Sequence, residues 1–306
     1  MRIRIVFALG IVAALFLTHE APVPRTRGPM TQQAYVWQRV WTEPVREAVA
    51  ERADAFSGLV ALGAEVSWDQ GRPGVVRVPA ASTPGIALRI GPHANPGGAE
   101  TAFLAELAAS LDARSELQID FDCASSKLDG YRTWVRAIKQ RVAPVPVVIT
   151  ALPSWLGRDA FVRLVDDADG YVLQVHSLER PRGPSDRFSI CDPGRARAWV
   201  ERAARLGRPF RVALPTYGYL VAFDASGKFR GLCAEGPVPR AATLRPVSAD
   251  PQAMAFLVAA WTQDRPAALT GILWYRLPVS SDRLNWRWPT LAAVMAGKTP
   301  RANVVV

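Results

Sequence analysis

An alternation constrains this chain more than any other feature of its sequence. Eight runs rich in β-branched and aromatic residues, at 34–41, 57–68, 85–92, 115–123, 145–153, 170–178, 210–219 and 271–278, are separated by stretches with helical spacing. In one such stretch Leu128, Tyr131, Trp134, Val135 and Ile138 recur every three or four residues, as one face of a helix must. Val45, Ala48, Val49 and Ala53 do the same, as do Met254, Leu257, Val258 and Trp261. Further helices are expected over 98–111, 158–167, 193–206 and 289–296. Strands that are apolar on both faces need cover on both sides, and helices between them imply parallel pairing through right-handed crossovers. Eight such units predict a closed (β/α)8 barrel of the triosephosphate-isomerase (TIM) type. An open doubly wound sheet is the alternative, but no strand here is followed by a glycine-rich phosphate turn. Between the seventh strand and its helix, "DASGKF" has hairpin-turn chemistry, so a small β insertion is expected over about 220–248.

A chain of 306 residues with 49% hydrophobic content can bury one core of that size, so residues 32–306 are expected to form one monomeric barrel domain. Residues 1–20 read differently. Arg2 and Arg4 precede an unbroken apolar run at 5–17, which is shorter than the roughly 20 residues of a membrane span. This predicts a signal peptide, or an N-terminal anchor holding residues 5–18 in the membrane, followed by a Pro-rich tether at 21–31. The expected location is the periplasm or the outer face of the inner membrane. The net charge of +10 comes largely from scattered arginines, without the basic run or aromatic interleaving of a nucleic-acid face, so no nucleic-acid partner is expected. Three cysteines leave one odd. Cys191 and Cys233 sit in loop-like text and are the candidate disulfide, with three free thiols as the alternative.

The stretch "LQIDFDC" places carboxylates inside an otherwise apolar strand. Because strand side chains alternate, Gln118, Asp120 and Asp122 share one face. If that face is the barrel interior, the line climbs to the mouth, where barrel active sites gather. Two carboxylates about 7 Å apart repel, and the less solvated one holds its proton more tightly. A protonated carboxylic acid at the mouth is what glycosidic bond cleavage asks of its general acid. A structural alternative has Asp122 capping the next loop and Asp120 satisfied by an arginine such as Arg89. Other strand ends supply candidate substrate-binding groups: Gln174 and His176 on the sixth, Tyr217 on the seventh, Trp274 and Arg276 on the eighth. Trp41, Trp68 and Trp155 also fall at strand ends, and flat indole faces suit sugar rings. No cofactor or metal is expected, since His176 lacks a second histidine at ligand spacing.

The segments "LQIDFD", "LQVHSL", "ALPTYGY" and "GILWYRLP" resemble, in order and position, strands of the chitinase-type barrels of glycoside hydrolase family 18. Nearly all of the chain after the apolar run also resembles domain-of-unknown-function family 3142. The first resemblance implies that Asp122 stands at the family's acid position, Asp120 at the position that orients the substrate's acetamido group, and Gln118 at that of the innermost acid. It places His176 where the family has a tyrosine, and Trp274 where a tryptophan floors the sugar subsite. Asp122 is one methylene shorter than the family's glutamate, and Gln118 cannot accept a proton. The expected function is that of a glycoside-hydrolase-like barrel acting on an envelope or extracellular polysaccharide. The alternative is a non-catalytic carbohydrate-binding barrel. Glu179 or Asp69 would activate water if the substrate does not assist.

Overall fold

The computed structural model describes residues 22–79, 83–177 and 181–300. The apolar run and Glu179 lie outside these. Eight parallel strands close a ring: β1 (Thr31–Val36), β2 (Gly58–Asp69), β3 (Gly85–Ile90), β4 (Glu116–Asp120), β5 (Val147–Ala151), β6 (Gly170–Gln174), β7 (Phe210–Pro215) and β8 (Leu269–Tyr275). Each strand pairs in parallel with the next, and β1 joins both β2 and β8. The expected barrel is therefore formed.

Alternation along the strands builds two cores. Tyr35, Val60, Ala87, Val148, Val172, Ala213 and Leu273 point inward and pack together in the lumen. Their neighbours, among them Ala34, Leu59, Leu88, Ile119, Ile149, Leu173, Val212 and Ile272, face outward under the helices. The lumen's mostly small residues leave room for a polar stack. At its base Arg211 pairs with Glu116 at 2.7 Å and also contacts Gln33. Gln118 donates to Glu116 at 2.9 Å and accepts from the Tyr35 hydroxyl at 2.6 Å. Within this stack Glu116, Gln118, Arg211 and Tyr35 all find partners, which offsets their desolvation.

Among the described residues seven helices cover the ring: α1 (Glu43–Arg52), α2 (Glu100–Ala109), α3 (Leu128–Val142), α4 (Asp159–Asp167), α5 (Pro193–Ala204), α6 (Pro251–Gln263) and α7 (Trp288–Met295). The five stripe residues of α3 are all fully buried. Asp192 and Asp250 cap α5 and α6 by accepting backbone N–H bonds, each followed by a proline that needs no such bond.

Among the described residues, the second βα unit has no helix. Instead β2 runs for twelve residues, turns at Gln70 and Gly71 (φ 46° and 80°), and returns as an antiparallel strand, Arg72–Arg77. Left-handed conformations at both turn positions match the twist of a two-residue hairpin. Residues beyond Ala61 of β2 have lost β1 as a neighbour and take this strand instead. The expected insertion is present as a three-stranded antiparallel sheet of Gly218–Phe223, Phe229–Cys233 and Thr243–Ser248, the first strand in the middle. Asp224 holds its turn by accepting from Ser226 N and Lys228 N, both at 3.0 Å.

At the opposite end of the barrel the chain enters under restraint. Arg25–Thr26 pairs antiparallel with Arg265–Pro266, just before β8, and the Arg25 guanidinium bridges Asp264 and Glu201. The described part of the expected tether is thus fastened to the barrel base. Cys191 and Cys233 are both buried free thiols, so the expected bridge is not formed. The Cys233 thiol is engaged locally, donating to the carbonyls of Gly236 and Pro237.

Candidate active site

At the carboxyl ends of the strands lies a cavity of about 330 Å³, whose lining includes Trp37, Arg89, Asp120, Asp122, Gln174, His176, Tyr217 and Tyr275. A neighbouring cavity of about 470 Å³ shares Trp37, Arg89, Tyr217 and Tyr275 and extends to Gln38, Glu65, Glu235 and Arg276. Two walls come from outside the barrel strands: the loop after β1 and the inserted sheet, whose Gly218–Phe223 strand contributes Tyr219 to both cavities.

Asp120 ends β4 and is buried. One carboxylate oxygen accepts from Thr150 Oγ1 at 2.8 Å and from Gln174 Nε2 at 3.2 Å, while the other faces Arg89 Nε at 3.9 Å. Burial raises its pKa; Arg89 and the two hydrogen bonds oppose this by favouring the charged form. Asp122 stands two residues on, exposed at the mouth. Desolvation by the surrounding walls, then the charge of Asp120, push its carboxyl up to about 6, against the pull of Arg89. Gln118 lies beneath, spent on Tyr35 and Glu116, and lines neither cavity.

His176 joins the same cavity from the exit of β6. Its Nδ1 lies 3.1 Å from the Tyr217 hydroxyl, and its ring stacks on Tyr275 with centroids 5.5 Å apart. Burial lowers its pKa to about 4, so the imidazole is neutral near pH 7. Its Nε2 is buried with no partner among the described residues. Trp37 and Tyr275 meet edge to face at 5.4 Å, giving the mouth an aromatic corner that the sequence reading missed.

The structure brings Asp120, Asp122, Gln174, His176 and Tyr217 together as expected. It corrects Trp274. That indole is fully buried on the outer face of β8, donating to Gln32 Oε1 at 2.9 Å and packed against Trp286. Leu273 and Tyr275 occupy the inward phase instead. Arg276 faces the larger cavity, but its guanidinium is held by Asp282 at 2.7 Å and lies 3.8 Å from Glu235. Trp155 is fully buried, and Trp41 and Trp68 pack against the outer core, so none of the three lines the mouth. Among the described residues no group of three His, Cys, Asp or Glu is placed to hold a metal.

Glu65 reaches the mouth through an irregularity in β2. Leu59 and Ala61 face outward, as do Ala64 and Val66, so the face switches phase at Gly63, where the register with β3 also shifts. After that bulge Glu65 turns inward, bound by Arg39 and 3.8 Å from Arg89. An isolated glycine inside a strand pattern was the available signal.

A closed ring of eight parallel strands covered by helices defines the class: a TIM barrel, here with an acid pair at the carboxyl end of β4 and an aromatic corner beside it. The chain belongs to the family described as Domain of unknown function (DUF3142), which it matches over residues 99–280. Its fold is similar to that of the spore cortex-lytic enzyme SleL of Bacillus cereus, at 12% identity and a TM-score of 0.58, with 90% of this chain and 75% of that one covered. It is also similar to a chitinase from Chromobacterium violaceum, at 13% identity and a TM-score of 0.54, over 88% of this chain and 98% of that one. At such identities the likeness extends to the fold. No curated protein matches the chain.

Proposed function

We propose that this protein is a glycoside hydrolase acting on an envelope or extracellular polysaccharide, with Asp122 as general acid and Asp120 as its electrostatic partner. The observation that carries this reading is that Asp120 and Asp122 line one aromatic-walled cavity at the strand exits, where desolvation and the neighbouring charge push the Asp122 carboxyl up to about 6. A carboxyl in that range holds its proton under mildly acidic conditions and releases it readily, as a general acid must.

In the proposed reaction Asp122 gives its proton to the glycosidic oxygen as the bond from the anomeric carbon to that oxygen breaks. The bond's electron pair leaves with the alcohol, and Asp122 is left as carboxylate. Asp120 stabilises the positive charge that develops at the sugar, directly or through an acetamido group on it. Water then adds to the anomeric carbon and returns a proton to Asp122. Thr150 and Gln174 fix Asp120, so it needs little reorganisation during the reaction. Trp37 and Tyr275 offer flat faces for the ring.

The two acids are the only carboxylates lining the smaller cavity among the described residues, which favours a second reading, a barrel that binds glycan without cutting it. Activity of purified protein on bacterial envelope polysaccharides separates the two. Hydrolysis that falls about 100-fold or more in Asp122→Asn supports the enzyme, in line with the usual worth of general acid catalysis. Saturable glycan binding with no product from the parent chain supports the binding barrel.

A further inference from the structure

Arg89 stands where the two cavities meet and lines both. It sits on β3, whose inward phase continues from Ala87, and its side chain is 45% exposed. The other arginines of the cleft are already committed. Arg39 is bound by Glu65, and Arg276 by Asp282. Arg89 makes no hydrogen bond within the described residues. Its nearest acids, Glu65 at 3.8 Å and Asp120 at 3.9 Å, form loose ion pairs with it but stand outside hydrogen-bond distance. A planar fork of five donors with none spent is matched by a carboxylate, which it can bind through two parallel hydrogen bonds.

Resting on the hydrolase or glycan-binding reading above, we infer that Arg89 is a specificity-determining residue that receives a carboxylate of the substrate, so the preferred polysaccharide carries acidic sugars. The acids around Arg89 allow this. Glu65 is neutralised by Arg39, and Asp120 and Asp122 both hold protons more tightly than usual, so the mouth carries less negative charge in mild acid than its carboxyl count suggests. Arg89 also holds down the pKa of both acids. A substrate carboxylate that engages the guanidinium weakens that pull, so the ligand itself helps Asp122 keep its proton. The groups facing this exchange are Glu65 on β2, Asp120 and Asp122 on β4, and the neutral His176 and Tyr275 across the mouth.

The test is calorimetric binding of two probes to the Asp122→Asn protein: a tetrasaccharide alternating glucuronate with N-acetylglucosamine, and a tetramer of N-acetylglucosamine alone. The expected result is about tenfold or greater preference for the acidic probe, falling with added salt, as for a hydrogen-bonded ion pair. Adding Arg89→Gln should collapse the ratio of affinities to about one. Arg89→Lys, which keeps the charge and loses the fork, should give an intermediate ratio. Equal affinity for the two probes, or a preference that survives Arg89→Gln, overturns the inference and leaves the sugar-cleft reading standing. Binding of neither probe overturns both.

Discussion

Asp120 and Asp122 share a strand face and a charge type, yet their surroundings give them different tasks. Asp120 is buried and held by Thr150 and Gln174, whereas Asp122 is open to solvent with its carboxyl at about 6. An acid must be protonated to donate, so the account fixes the sign of the pH dependence. Turnover should be lost as pH rises through about 6 and retained below it, until protonation of Asp120 intervenes. A pH–rate profile checks this, and activity that instead rises through that point would assign Asp122 a different role. Asp122→Glu extends the acid by one methylene and restores the residue of the chitinase-type pattern; a gain in rate would mark the native chain as a weakened enzyme. The residue scale was partly legible in the sequence. Asp120, Asp122, Gln174, His176 and Tyr217 could be found because β4, β6 and β7 carry polar residues on one phase only. On β8 every residue from Gly271 to Tyr275 is apolar or aromatic, and Arg276, the nearest charge, shares the phase of Trp274 and so points to the wrong face. The phase was set by packing, with Trp274 bonded to Gln32 and sealed against Trp286.

At the scale of elements, β2 carries the largest departure from a regular barrel. Its bulge at Gly63 turns Glu65 inward, and its extension into a hairpin stands where a regular barrel has a helix. A Cβ on Gly63 would sit 2.4 Å from Ile86 Cγ2, a buried β-branched side chain with little freedom to yield. Gly63→Ala should therefore cost about 1–3 kcal/mol of stability through overpacking, read as a lower denaturant midpoint. The same change at Gly231, where nothing lies within 4 Å, is the control and should be close to neutral. Helices and strands were legible because their periods, 3.6 and 2, are local properties. The bulge and the returning strand Arg72–Arg77 were not, because each depends on which neighbours a strand acquires along its length.

Over the whole molecule, the two ends of the barrel divide the work. At the base the chain is strapped down by Arg25–Thr26 and the stack of Glu116 and Arg211 is closed off, while at the mouth irregular segments and the insertion surround open cavities. That division follows from the parallel arrangement, which sends all eight strand exits to one side. The central claim is that a sugar chain lies across those exits with its scissile oxygen at Asp122. The most direct measurement is a crystal structure of the Asp122→Asn protein with a bound tetrasaccharide. The account predicts a glycosidic oxygen within about 3.2 Å of the side chain at position 122 and a sugar ring against Trp37 or Tyr275. An oligosaccharide seated instead in the separate cavity of about 510 Å³ beside Arg187 and Trp199, with the mouth empty, would contradict it.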